Sequence, residues 1–474
     1  MAADYLAFDL GAESGRAMLG RVQSGRLELT EIHRFPNDPI RASGALRWDM
    51  DRLWTEMRRA LEAAPRGLQS IGVDTWGVDF ALLGEGGKLL ENPYHYRDRR
   101  TDGMMEAVFE KVSRDRIYSV TGIQFLPINT LYQLYCTSPE LIAKSESLAT
   151  IPDLLNYWLT GNLSAEYTIA TTTQLIDAKT RGWASAMIDE LGFPARLFLP
   201  IVQPGTEIGR LRRDHSLPGV PVTAPACHDT GSAVAAIAMS PDSAFLSSGT
   251  WSLLGTEMPE PVITPQSRDL NFTNEGGVCG TIRLLKNIAG LWLLQSCRRF
   301  WPAHSYDDLL DAATGEPALQ SLIDPDDPAF LNPQNMPDAI AAYCKRTGQP
   351  APASPPAYTR AILESLALKY RTVLDSLEQI TGRRFEEIRI VGGGSRNRLL
   401  NQFTADATGR IVVAGPTEAT ALGNIAMQML ASGAVSSWAE ARATIDRSFP
   451  TERLEPRPHH QWDEACRRFR SYCP

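Results

Sequence analysis

Two stretches of this chain follow one plan, and that repetition constrains the fold more than any other feature. "YLAFDLGAESGRAMLG" (Tyr5–Gly20) and "AFLSSGTWSLLG" (Ala244–Gly255) each read as apolar strand, short polar loop with glycine, apolar strand. One such hairpin opens each half of the sequence. The pattern predicts two similar domains, divided near "AMSPDSA" into residues 1–240 and 241–474. A chain of 474 residues also exceeds what one core supports.

The segments between the hairpins alternate strand and helix patterns, which makes the chain α/β. "YLAFDL", "RAMLGRV" and "LELTEIHRF" are expected to form an antiparallel meander. "WDMDRLWTEMRRALEAAP" places Leu53, Met57, Ala60 and Ala64 on one helix face and stops at Pro65. "SIGVDTWGVDFALL" reads as strand, glycine turn, strand. Further on, Ile362, Leu366, Tyr370, Val373, Leu377 and Ile380 recur at helical spacing up to a capping Gly382. "IRIVGGGSRNRLLNQFTADATG" is then strand, glycine turn and helix, with Asn397 in the first helical turn. Proline-rich Gly315 to Asp338 is expected to be an irregular insertion.

Composition bounds the function. Hydrophobic content of 43% with 22% charged residues is that of a globular protein. A net charge of -8 offers nothing to nucleic acid or an anionic membrane. No run of eighteen apolar residues occurs, and "MAADYLAFDLG" enters a strand too early for a signal peptide. Seven scattered cysteines with no C-x-x-C pair are expected to be reduced thiols in a cytoplasmic protein.

Five motifs can carry chemistry, each with a plainer reading beside it. In the opening loop, Gly11 and Gly15 let backbone amides approach an anion, Ser14 and Arg16 add donors, and Asp9 suits a divalent metal; a plain hairpin needs the same residues. "SSGTWS" (Ser247–Ser252) repeats that choice with Gly249 and Thr250. In "PACHDTGSAVAAIAM", Asp229 either caps a helix or accepts a hydroxyl proton, and His228 is either structural or functional. The glycines of "VGGGSRNRLLNQ" form a close-approach loop or a flexible turn; neither G-x-G-x-x-G nor G-x-x-x-x-G-K-[ST] is present. "VDTWGVDF" (Val73–Phe80) offers a ring face and the acceptors Asp74 and Asp79 to a polyol, or a buried tryptophan.

The ordered set D-L-G-A-x-S-G-R, D-T-W-G-V-D-F, H-D-T, S-S-G-T-W-S and V-G-G-G resembles the FGGY carbohydrate kinases, of the actin, hexokinase and heat-shock ATPase superfamily. The resemblance runs from Asp9 to about Met429 and implies two ribonuclease-H-like domains flanking a nucleotide and sugar cleft. It implies a sugar-binding first domain carrying the first phosphate loop, and a nucleotide-binding second domain. "GIQFLPINTLYQL", "EYTIATTTQL", "TNEGG" and "KNIAGLWLLQ" look like the branch acting on L-rhamnulose. The implied reaction is transfer from ATP, with Mg²⁺, to O1 of that ketose; other ketose or polyol kinases (for L-fuculose or xylulose) and a sugar sensor are rival readings. Carried over by motif, Asp229 becomes the general base. Ala12, Glu13, Ser14, Gly15 and Arg16 would meet the phosphates, with Thr250, Gln295 and Gly393 also at the nucleotide. Gly77, His228, Asp229, Thr230 and Asn287 would bind the sugar, and Asp9 the metal. Glu13 departs from the Ser or Thr common in this loop, so Asp9 and Glu13 are expected to be compatible with a phosphate site only through a cation. No partner beyond these small molecules is implied, and a monomer or weak homo-oligomer is expected.

Overall fold

The computed structural model describes residues 2–457 and 460–472; Cys473 lies outside them. Both predicted hairpins form, and each seeds a mixed sheet. The first runs in the order Glu207–Arg210, Pro221–Thr223, Ser70–Thr75, Ala3–Leu10, Ser14–Gln23, Arg26–Pro36. Along that order the first four pairings are antiparallel, parallel, parallel and antiparallel. The second sheet includes, in order, Glu452–Leu454, Ile411–Ala414, Glu387–Val391, Ser243–Ser248, Trp251–Met258 and Ile282–Ala289. Its first four pairings repeat the same sequence of directions. The duplication seen in the hairpins therefore extends to a whole strand order.

Central strands covered on both faces need apolar residues at every position, not at alternate ones. Leu6, Ala7, Phe8 and Leu10 of the first central strand meet this, as do Ala244, Phe245 and Leu246 of the second; all are fully buried. The chain divides into two compact units that are discontinuous in sequence. The first comprises Met1–Ala238, Glu257–Leu284 and Ala419–Phe449; the second comprises Met239–Thr256, Leu285–Glu418 and Pro450–Pro474.

Helix ends follow local chemistry. Met50–Ala63 starts at Asp49, whose carboxylate accepts the Arg52 N–H, and it ends before Pro65. Pro355–Thr381 starts at a Ser354 cap and stops at Gly382, whose φ of 65° suits glycine. Asn397 is not in the first turn of its helix but caps it, accepting the Leu400 N–H at 2.9 Å. The strand Phe80–Leu83 leaves the main sheet and pairs with Ser147–Thr150.

The insertion from Gly315 is irregular, as expected, yet Leu322, Ile323 and Phe330 are buried. A buried segment without a ladder must find other partners for its amides. Here side chains supply them: Glu364 accepts from Leu319, Gln349 from Leu322, Ser365 from Ile323 and Tyr343 from Asp324. Within the first unit, helix Ala419–Ala431 lies on the central strands through a polar seam. Gln428 bonds Ser70, Asn424 and the Leu6 carbonyl, and Asn424 donates to Asp74.

Candidate active site

Strand pairing, rather than a loop, places Asp9 and Arg16. They are register partners in the opening hairpin, and the Arg16 guanidinium bonds the Asp9 carboxylate directly. At Asp9 the Arg16 guanidinium supplies positive charge within the hairpin itself. Only Gly11, Ala12 and Glu13 remain as the turn. Their carbonyls are tied down, since Asn37 donates from its side chain to Gly11 O and from its backbone to Glu13 O, both at 2.9 Å. Glu13 is exposed. Gly15 is glycine for a packing reason: a Cβ there would lie 2.2 Å from the Phe35 ring.

Asp74 is Asp9's partner on the parallel strand Ser70–Thr75, so both side chains leave one face of the sheet. It is fully buried, accepts from Asn424 at 2.6 Å through Oδ2, and has no hydrogen bond to Oδ1. Burial first, then repulsion from Asp9, drives its pKa well above the carboxylate range; Asp229 adds to the repulsion. The three acids are thus close enough to sense one another.

The polyol reading of Trp76 and Asp79 does not survive. Asp79 accepts from Trp48 at 2.6 Å, Trp76 at 3.0 Å, Tyr96 N at 3.2 Å and Gln133 at 2.8 Å. Trp76 packs on Trp48 with ring centroids 4.1 Å apart. These groups brace the turn rather than face a ligand. Gly77, between them, is different: a Cβ there would come within 3.3 Å of His228 Nε2.

His228 bridges in parallel to Thr75 and sits at the cap position of helix Asp229–Ala235 without capping it. Asp229 Oδ1 accepts the Thr230 N–H at 2.5 Å and the Thr230 hydroxyl at 3.2 Å. His228 Nε2 lies 3.5 Å from the same oxygen, and the Asp229 side chain is 30% exposed. A half-open carboxylate with one oxygen engaged is suited to take a proton through the other. The first unit therefore brings together Asp9, Gly77, His228, Asp229 and Thr230. Asp74, which the sequence offered as a polyol acceptor, joins them, as do Glu275 and Arg283 behind His228, for which the sequence carried no such expectation. Asn424 and Gln428, polar residues one turn apart on an apolar helix, were a legible signal for that seam.

In the second unit, the turn Gly249–Thr250 is held by Gly290, Leu291 and Trp292, whose N–H groups donate to the Thr250 and Gly249 carbonyls. That leads into helix Trp292–Arg298, where Gln295 Oε1 is buried with no hydrogen-bond partner. Gly392 and Gly394 press on Ser248, at 2.9 Å and 2.0 Å from where a Cβ would stand; Gly393 between them meets nothing within 4 Å. Thr250, Gln295 and Gly393 thus gather around one end of the central strand. Asn287 stands near the end of Ile282–Ala289, which Asp326 anchors at Ala289 N while Lys369 pairs with Asp326 and Asp324. Among the described residues no group of three His, Cys, Asp or Glu is arranged to hold a metal. No helix there is long and apolar enough to cross a membrane. Cys227, Cys297, Cys344 and Cys466 are buried thiols, and Cys279 is exposed.

The same α/β strand order is thus built twice, with these groups at the strand ends. Residues 4–235 match the N-terminal domain, and residues 244–432 the C-terminal domain, of the FGGY family of carbohydrate kinases; the chain belongs to that family. It is a phosphotransferase with ATP as a substrate. It is 46% identical to a rhamnulokinase of Bacteroides thetaiotaomicron, over 99% of either chain. A rhamnulokinase of Oceanobacillus iheyensis is 45% identical over 94% of this chain and 96% of its own. In fold, the chain is similar to the ligand-bound xylulose kinase of Lactobacillus acidophilus, with a TM-score of 0.80, 16% identity and coverage of 99% and 97%. It is also similar to Plasmodium falciparum glycerol kinase with ADP, with a TM-score of 0.74, 16% identity and coverage of 99% and 96%.

Proposed function

We propose that the chain transfers the γ-phosphoryl group of ATP to O1 of L-rhamnulose, giving L-rhamnulose 1-phosphate and ADP. The carrying observation is Asp229, a partly exposed carboxylate with one oxygen held by Thr230. As the C1 hydroxyl attacks phosphorus in line, its O–H bond breaks toward Asp229 and the bond from phosphorus to ADP opens. Loose phosphoryl transfer asks mainly for positioning and charge neutralisation. Ala12, Glu13, Ser14, Gly15 and Arg16 at the end of the opening hairpin, the Thr250 turn and the open flank of Gly393 serve the nucleotide, with Gln295 supplying its unpartnered acceptor. Gly77, His228, Thr230 and Asn287 serve the sugar. The choice of sugar follows the names of the relatives at 46% and 45% identity.

The acids fit a divalent cation. Asp74 Oδ1 is buried and without a hydrogen bond, on the same sheet face as Asp9. Magnesium typically needs one or two carboxylates and takes its other ligands from phosphates and water, so no three-residue cluster is required. Asp9 would hold it, and when bound it would neutralise phosphate charge. The protein acts in the cytoplasm as a monomer or weak homo-oligomer.

Coupled ADP release tests the assignment over L-rhamnulose, L-fuculose, xylulose and glycerol. The expected result is the highest kcat/KM with L-rhamnulose. A higher value with another acceptor overturns the sugar and leaves a kinase.

A further inference from the structure

Behind His228 lie two charged residues that the mechanism above does not use. Glu275 belongs to strand Thr273–Gly276 and Arg283 to Ile282–Ala289. They are 4% and 0% exposed. Charges buried so deeply are costly unless paired and well bonded. Glu275 Oε2 lies 3.1 Å from Arg283 Nη2, and both atoms lie 3.2 Å from His228 Nδ1. Arg283 Nε donates to the Gly276 carbonyl at 2.8 Å, which fixes the plane of the guanidinium.

An arginine N–H donates and never accepts. With Nη2 directed at Nδ1, that ring nitrogen must present its lone pair, and the ring proton resides on Nε2. Nε2 faces Asp229 Oδ1 at 3.5 Å, where the Thr230 N–H and hydroxyl also donate. No protein donor bonds Asp229 Oδ2 among the described residues. The opposite tautomer, with Nδ1–H donating to Glu275, would turn the Nε2 lone pair against a carboxylate. It would also set two N–H groups against each other at Nδ1.

We infer that Glu275 and Arg283 are positioning residues for the base. They hold His228 as the Nε2–H tautomer, so that a ring N–H faces Oδ1 of Asp229 at 3.5 Å beside the Thr230 donors; Oδ2 is left to take the proton of the acceptor hydroxyl. Glu275 offsets the charge of the guanidinium, the Gly276 carbonyl fixes its plane, and Arg283 selects the tautomer. The catalytic part of this inference rests on the kinase reading of Asp229.

The test is nitrogen NMR of the full chain carrying imidazole-¹⁵N histidine, with the His228 signals assigned by their loss in His228→Gln. Wild type is expected to show an unprotonated Nδ1 and a protonated Nε2. Glu275→Gln and Arg283→Lys are expected to move His228 away from that state. They should also lower kcat on the order of tenfold or more, with KM for ATP unchanged within about twofold. Should Arg283→Lys not fold, the near-isosteric Glu275→Gln carries the comparison. A wild-type Nδ1–H signature overturns the inference, as does a folded variant that keeps the wild-type tautomer and kcat. The tautomer is read without any acceptor sugar. Absence of turnover on every ketose therefore sinks the kinase reading, whereas an Nδ1–H signature with turnover intact sinks the positioning role.

Discussion

At Asp229 a single substitution separates two roles that share one geometry. Asparagine could still accept the Thr230 N–H that Oδ1 now takes at 2.5 Å. It takes no proton at neutral pH. Asp229→Asn is therefore expected to cut the single-turnover phosphorylation rate by on the order of 10² or more, with thermal midpoint and ATP affinity little changed. Retention of a tenth of the wild-type rate or better would make the residue a turn-former. Asp9 tests the other charge. Because Arg16 already pairs with it, Asp9→Asn should leave the hairpin folded and raise the Mg²⁺ concentration for half-maximal activity. An unchanged Mg²⁺ titration at full activity would reduce Asp9 to Arg16's structural partner. Both motifs were visible as residue types. Which oxygen is engaged, and that Arg16 faces Asp9 across the hairpin, depend on register and side-chain direction.

The glycine turn after strand Glu387–Val391 divides labour among adjacent positions. A Cβ on Gly394 would stand 2.0 Å from Ser248 Oγ, inside a side chain that is itself buried. Gly394→Ala is expected to destabilise by about 1–3 kcal/mol, the usual cost of overpacking. Gly393→Ala meets no atom within 4 Å and should leave the thermal midpoint unchanged. If its open flank receives the nucleotide, the same methyl should raise KM for ATP several-fold with kcat preserved. Isothermal titration with a non-hydrolysable ATP analogue and melting curves of the two variants check this, and unchanged ATP binding in Gly393→Ala removes that glycine from the site. The sequence "VGGG" announced a turn. It did not say which glycine was packed and which was open, because Ser248 arrives from a strand far away in sequence.

Stability of the whole molecule should depend on pH through two buried acids, Asp153 and Glu166. Asp153 and Glu166 are pushed up to about 8 and about 7 by burial, against the hydrogen bonds they accept. A raised folded-state pKa means the native chain holds a proton that the unfolded chain has released. Stability therefore falls as pH rises from the ordinary carboxylate value through about 8, then levels off once the native acid ionises too. The slope approaches about 1.4 kcal/mol per pH unit for each acid while the two states differ fully. Asp153→Asn cannot ionise, yet its carbonyl can accept the Glu166 N–H that Asp153 now accepts at 3.0 Å. Melting between pH 6 and 8 should fall less steeply in the variant than in wild type. Equal slopes would place the pH dependence elsewhere.

The sequence by itself determined the α/β class, the doubled hairpin, the helix ends at Pro65 and Gly382, and the identity of the H-D-T segment. Each is written in local periodicity, capping or turn chemistry, which neighbours along the chain suffice to express. Only the tertiary structure decided that residues 257–284 and 419–449 return to the first unit. The same holds for the four donors that consume Asp79, and for Glu275 and Arg283 standing behind His228. Those outcomes depend on contacts between residues far apart in the chain. A buried acid's partners are chosen by whichever donors packing brings within about 3 Å, and no local pattern encodes that choice.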